Sequence, residues 1–378
     1  MQKKTLLATS ALITGAMVAA DAAQAADPIR LEIRGFRNEY FGVVTADSDV
    51  DQENFGNTAL FSDGEVQFRG KTTLDNGIEI GVRVELEAFG RGDQVDENYV
   101  FLEGGFGRLQ LGSDDPAPYQ QAVVAPNVGV PINSGWLSLF LPNPTGFTTT
   151  AFQTTPEISV DDNMINYFSP RFAGFQLGLA YIPSLVNSGF DAGNAVNQDV
   201  PFGDGEGNNA LADDNDRQHG LGAGVNFTNS FNGVDVQAAA GIQYVDEPDQ
   251  DDQGNAVDFE EVLAYNVGAV LGFGGLSFGG SFGIMDAQNL ASDGYHWDVG
   301  LAYATGPWSV SGTFIMGERE GDVANNDEDE SMGLAGAVAY SVGPGITTNF
   351  TLLYADYDAE DGNDGDGFGG VVGLRVNF

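Results

Sequence analysis

The side chains able to do chemistry are few in kind. Cysteine is absent and histidine occurs twice, as His219 and His296. That removes thiol nucleophiles, Cys-ligated metal sites and clustered imidazole ligands. Neither histidine stands beside a recognisable serine motif, so no nucleophile–base pair is expected and the chain does not read as an enzyme. What remains is charge: 55 Asp and Glu against 14 Lys and Arg, a formal net charge of −41. Such a chain repels phosphate, which excludes nucleic acid as a partner. Against that background each basic residue is informative. Arg30 and Arg34 alternate with Leu31 and Ile33. Arg69 and Lys71 share a phase with Glu65 and Gln67, Arg83 with Glu85 and Glu87, and Arg108 takes the polar phase of its own segment. Arg34, Arg69, Lys71, Arg83 and Arg108 are therefore candidates for one charged face, with Arg91 beside it. A bulge is expected near Gly35, which leaves the facing of Arg37 open.

The elements that must carry this face are strands. Trp308, Val310, Phe314 and Met316 alternate with Ser309, Ser311 and Thr313, and Ile78 to Leu86 and Ile346 to Tyr354 repeat the pattern. One apolar and one polar face at period two is a strand signature. Short turns rich in Gly, Asn, Asp and Pro separate the strands: 74–77, 104–107, 169–174, 229–233, 272–275, 305–307 and 343–345. Longer acidic segments alternate strictly with them. Seven turns and eight loops imply sixteen strands, and an even number with this asymmetry fits a closed antiparallel transmembrane barrel. Val262 to Met285 tests the idea, because it carries no charge and a hydropathy window could take it for a membrane helix. Gly272-Phe273-Gly274-Gly275 at its middle predicts a hairpin instead. Tyr303, Trp308 and Tyr340 near short turns, and Tyr181, Tyr295, Trp297 and Tyr354 near long loops, fit the two aromatic rims of such a barrel.

Residues 1–25 read as an export signal. Lys3 and Lys4 precede an uncharged run from Leu6 to Ala20, and Ala23-Gln24-Ala25 offers a small-x-small cleavage site. At about 15 residues the run is short for a spanning helix, which needs about 20.

The chain ends Gly369-Gly370-Val371-Val372-Gly373-Leu374-Arg375-Val376-Asn377-Phe378, an amphipathic strand closed by Phe. Phe101 to Gly112 looks like the hairpin before a third loop, and Asn163 to Pro170 like the strand after it. On these segments the chain, from 26 to 378, resembles the Gram-negative general diffusion porins of the outer membrane. The resemblance implies an all-β, 16-stranded antiparallel transmembrane barrel, assembled as a homotrimer. It implies a third loop, 114–162, folded into the lumen as a constriction, and passive diffusion of small hydrophilic solutes and ions. The acidic side facing the basic wall would come from Asp114, Asp115, Glu157, Asp161 and Asp162. No cofactor is required. Acidic outer loops, such as 318–330 and 356–366, could bind Ca²⁺ or Mg²⁺ and bridge to lipopolysaccharide among the outer-membrane lipids. The negative mouth predicts cation preference. A solute-specific channel, for example for sugars, on the same fold is the alternative reading.

Overall fold

The computed structural model describes residues 27–48, 56–88, 95–144, 155, 158–159, 162–185, 218–246, 262–286, 293–320, 328–360 and 362–378. The expected export signal, residues 1–25, lies outside them, as do Arg91, Glu157 and Asp161. Sixteen strands follow one another: β1 Arg30–Ser48, β2 Thr58–Thr73, β3 Glu79–Glu87, β4 Asn98–Gly104, β5 Gly107–Ser113, β6 Asn163–Phe168, β7 Phe175–Ser184 and β8 Gln218–Phe231. The second half comprises β9 Val234–Asp246, β10 Val262–Phe273, β11 Leu276–Asp286, β12 Gly294–Thr305, β13 Trp308–Glu320, β14 Glu328–Gly343, β15 Ile346–Asp358 and β16 Gly365–Asn377. Among the described residues, a short helix, α1 Ala117–Gln120, lies between β5 and β6.

Each strand pairs antiparallel with its neighbours in sequence, and β16 pairs with β1 to close the barrel. The seam runs from Phe36 opposite Asn377 to Ser48 opposite Gly365. Beyond it, Gly35 and Phe378 exchange two backbone hydrogen bonds, at 3.0 and 2.9 Å. The uncharged 262–285 stretch is the expected hairpin, β10 and β11. Its turn residues Gly274 and Gly275 both have positive φ, 58° and 85°, the backbone that a type I′ hairpin turn requires. The turn expected over 229–233 is tighter, confined to Asn232 and Gly233 between β8 and β9.

The outer surface is apolar. Phe41, Val43, Leu60, Tyr265, Val267, Phe278, Leu301, Phe350, Leu352 and Val372 are exposed, and they alternate with residues turned inward. A continuous apolar exterior of this extent belongs against lipid rather than water. Trp308 and Tyr340 pack ring to ring, 4.6 Å between centroids, at one rim.

Two expectations are corrected by the register. No bulge occurs near Gly35: β1 pairs with β2 without a shift from Arg30 to Val43. Arg37 therefore takes the phase of Ile33 and Phe41 and points outward, where it pairs with Glu39. Secondly, Glu318, Glu320, Glu328, Glu330, Asp356, Asp358 and Asp366 are strand residues rather than loop residues.

The seam yields a direct test. A Cβ at Gly35 would collide with the Glu65 carbonyl and would lie 2.7 Å from the Phe378 ring. Gly35→Val should destabilise the closed barrel by about 1–3 kcal/mol, the usual cost of forcing extra methyl groups into a packed contact. The measurement is the urea midpoint of the refolded protein in detergent, with Gly336→Val as the control, because nothing lies within 4 Å of its Cβ position.

Candidate pore and its constriction

A barrel of sixteen strands is too wide for its own inward side chains to fill, so what narrows it decides what passes. Two features bear on this: a charged wall over β1–β5 and the segment that follows β5.

All five basic candidates lie in the inward phase of that wall. Arg34 pairs with Glu32 at 2.9 Å, Lys71 with Glu79 at 2.9 Å, and Arg108 with Glu103 at 3.1 Å. Arg83 is held by Glu85, with Glu97 at 3.8 Å. Its other support is Tyr99, whose hydroxyl accepts from Nη1 at 3.3 Å. Arg69 stands directly across from Arg83 in register and donates to Gln67. Every ion pair that Arg34, Lys71, Arg83 and Arg108 make among the described residues goes to a glutamate of the wall. None goes to the loop. Further along the wall, Glu65, Glu87 and Asp96 hold carboxylate oxygens within 4.8 Å of one another, a donor set that suits a hard divalent cation.

Of the acidic candidates, Asp114 and Asp115 begin the loop and Asp162 ends it. Asp162 is buried and accepts from Ser159 Oγ at 2.8 Å. Asp114 is also buried, accepts the Asp115 N–H at 3.0 Å with Oδ1, and leaves Oδ2 without a partner. Burial, with the nearby charges of Glu97 and Asp115, pushes its carboxyl up to about 8. Glu97 is raised as well, chiefly by burial and against the pull of Arg83.

From Asp114 the chain follows the inward faces of the barrel. Pro118 in α1 sits where Cβ atoms at Gly222 and Gly241 would come within 3.0 and 2.9 Å of it. A Cβ at Gly268 would collide with the Val123 carbonyl. The Ala125 N–H then donates to both oxygens of Asp298 on β12, at 3.2 Å each, and Asn133 Nδ2 donates to the same carboxylate at 3.0 Å. Val128 N–H donates to Ser311 Oγ and Val130 N–H to Thr351 Oγ1, both at 3.1 Å. The Leu141 carbonyl accepts from the Tyr357 hydroxyl at 2.6 Å. Between these points Val130, Ile132, Leu137, Phe140 and Leu141 are fully buried against Tyr40, Val44, Ile315, Leu353, Tyr357 and Val371. Trp136 meets Tyr40 and Phe61 edge-on, at 5.7 and 5.2 Å.

The sequence places the five wall bases in one strand phase, and the register does the same. The sequence does not single out Asp298, Asn133, Thr351 or Tyr357, which hold the loop's backbone. The local signal for them is a polar residue in the inward phase of a strand, and most strands carry several. His296, the second histidine, is buried beside Gly317 on the neighbouring strand.

Comparison with known proteins agrees with this architecture. The family model for Gram-negative porins matches residues 8–362. An uncharacterized protein of Rickettsia felis is 22% identical over 303 residues, covering 65% of this chain and 68% of the relative. The anion-selective porin from Comamonas acidovorans superposes with a TM-score of 0.58 at 15% identity, over 92% of this chain and 100% of that one. The trimer form of OmpT, an outer membrane protein of Vibrio cholerae, gives a TM-score of 0.57 at 13% identity, over 93% and 100%.

Asp114 supplies the prediction. Its carboxyl titrates higher in the folded protein than in an unfolded chain, where an aspartate titrates near 3.9. Between those two values the folded state binds more protons, so stability falls as pH rises toward about 8 and levels off above it. The melting temperature in detergent should decline from pH 5 to 8 in the wild type. The decline should be smaller in Asp114→Asn, and equal slopes in the two proteins would exclude Asp114 as a source.

Proposed function

This chain belongs to the Gram-negative porin family, and from that membership we propose a water-filled outer-membrane channel for passive diffusion of small hydrophilic solutes and ions. The observation that carries the reading is the run of contacts from Pro118 to Leu141 along the inward faces of a closed barrel, with Glu32, Arg34, Lys71 and Glu103 on the facing wall left exposed. In this reading residues 114–162 form the constriction, and solutes pass between that segment and the wall.

Cation preference is part of the proposal. It is supported by the count on the wall itself: Glu32, Glu65, Glu79, Glu85, Glu87, Glu97 and Glu103 outnumber Arg34, Arg69, Lys71, Arg83 and Arg108. The outward Arg37–Glu39 pair, with Ser62 Oγ donating to Glu39 at 2.6 Å, supports a homotrimer, since charge facing lipid is costly and a neighbouring copy would cover it. The family likeness to a protein described in a trimer form points the same way. Divalent cations bridging the barrel to lipopolysaccharide also belong to this reading. Glu318 stands directly opposite Glu330, Glu330 opposite Asp358, and Asp356 opposite Asp366. Like charges in that position repel, and Ca²⁺ or Mg²⁺ shared with lipid phosphates would offset the repulsion.

Planar-bilayer recording tests the channel. Wild-type protein should insert in discrete ohmic steps, and its reversal potential in a KCl gradient should carry the sign of cation preference. Asp298→Ala removes the acceptor of the Ala125 N–H and should free the loop. We expect noisier open-channel current, and a loss of about 1–3 kcal/mol of stability from the buried donor left unpaired. Anion preference would overturn the selectivity, and an absence of conductance would overturn the function.

A further inference from the structure

Below the start of the loop, toward the short-turn rim, lies a cavity of about 480 Å³. Its walls come from three places: Arg83, Tyr99, Glu103, Arg108 and Gln110 on β3–β5, Gln120 and Gln121 beside α1, and the 168–171 turn with Gln176 on β7. Two of its three arginines are matched by carboxylates, Arg83 by Glu85 and Arg108 by Glu103. The third, Arg171, is not. Its guanidinium donates only to neutral acceptors: the Gly174 carbonyl at 2.6 Å, Asn226 Oδ1 at 2.8 Å, Gln176 Oε1 at 3.1 Å and the Asn226 carbonyl at 3.5 Å. Among the described residues no carboxylate pairs with it. A chain of net charge −41 thus holds an uncompensated positive charge in this one recess.

The same recess contains an acceptor with nothing to accept. Gln110 is 4% exposed, and its Oε1 has no hydrogen-bond partner. A buried amide oxygen left unpaired costs about 1–3 kcal/mol, so a ligand that donates to it gains what the empty wall lacks. The recess therefore asks for a negative group at one end and an N–H or O–H donor at the other. The Tyr99 and Phe168 rings, both nearly buried, supply apolar flanks for a short carbon skeleton.

We propose that this cavity is a binding subsite for small hydroxy- or amino-carboxylates on their way through the channel. The carboxylate meets the Arg171 and Arg108 end, and a hydroxyl or ammonium donates toward Gln110. The inference rests on the channel reading and adds a solute class to it. Cations enter by the surplus of wall carboxylates, and small organic acids are retained locally by this recess. Arg171 keeps its neutral partners when the ligand arrives, so no ion pair has to break first.

The test is block of the KCl current by added solute, scored against each variant's own open-channel conductance. Malate should lower the wild-type current at millimolar concentration, whereas glucose and lysine at the same concentration should not. Arg171→Gln should raise the half-blocking concentration of malate roughly tenfold, the effect of losing one charge-assisted contact worth about 1.4 kcal/mol. Glu103→Gln removes the repelling carboxylate and should lower that concentration. The second variant decides alone if Arg171→Gln inserts no channels, since Arg171 also braces its turn. Equal block by glucose and malate, or a malate block that neither substitution moves, overturns the subsite while leaving the channel standing. A wild type without KCl conductance removes the channel reading itself.

Discussion

A strand against lipid has no water to take up its backbone N–H and C=O groups, so each of them must find another strand. Everything else in this molecule is arranged around that demand. Sixteen strands pair in sequence order, and the two ends of the chain meet as β1 and β16. The closure tolerates an unfavourable side chain to keep its register. Sliding β1 by one residue would turn Arg37 inward, but it would also send Phe41 and Val43 into the bore, because every side chain on a strand changes face together. Arg37 stays outside, and Glu39 and Ser62 hold its charge in a local network. One outward ion pair costs less than a strand with its faces inverted.

Closure creates a second problem, a cylinder wider than its lining. The segment after β5 answers it by lying along the wall, and the wall is cut to receive it. Inward glycines on β8, β9, β10 and β12 leave space for Pro118, Val123 and Pro126, where any Cβ would crowd the loop. The loop's own backbone raises the same accounting as a strand's. Ala125, Val128 and Val130 donate to Asp298, Ser311 and Thr351, while Pro126 and Leu141 accept from Thr313 and Tyr357. Polar side chains on this part of the wall therefore serve the loop's peptide groups more than they serve water. Beyond them a cluster centred on Phe140 and Leu137 makes an apolar core inside a barrel whose outside is also apolar.

The strands and turns were legible in the sequence because both are local. Period-two alternation over eight residues, and Gly-rich turns between such runs, depend on nothing distant. That is why the 262–285 stretch could be read as a hairpin although its composition also suits a helix. The facing of the wall bases followed from the same alternation. Arg37 did not, because a bulge expected near Gly35 left its facing open, whereas the pairing of β1 with β2 and β16 runs without a shift. The course of the loop was legible only as a length between two strands. Its anchor at Asp298 lies 173 positions from Ala125 in sequence, and no spacing rule links the two. Inward glycines such as Gly222, Gly241 and Gly268 form the bed of the loop, a role that depends on a segment distant in sequence.

The wall charges show how proximity decides the electrostatics. Two unit charges 3 Å apart attract with about 1.4 kcal/mol even at the dielectric of water, against about 0.4 kcal/mol at 10 Å. Salt screens the longer pair further, since the Debye length is about 8–10 Å in physiological solution. A glutamate two residues along the strand, or opposite or diagonal on the next strand, therefore captures a base before a carboxylate on the far side of the bore can. Glu32, Glu79, Glu85 and Glu103 occupy those near positions. Arg34, Lys71, Arg83 and Arg108 are neutralised where they stand, and the wall does not present a bare positive face to the loop. In the proposed channel, ion selectivity rests on what is left over. On the wall the surplus is carboxylate, at Glu65 and Glu87, since burial shifts Glu97 and Asp114 toward their neutral forms. In the recess near the short-turn rim it is the guanidinium of Arg171, which meets only neutral acceptors. Cation passage and local retention of an organic anion can thus coexist in one bore, because each depends on a residual charge rather than on the total.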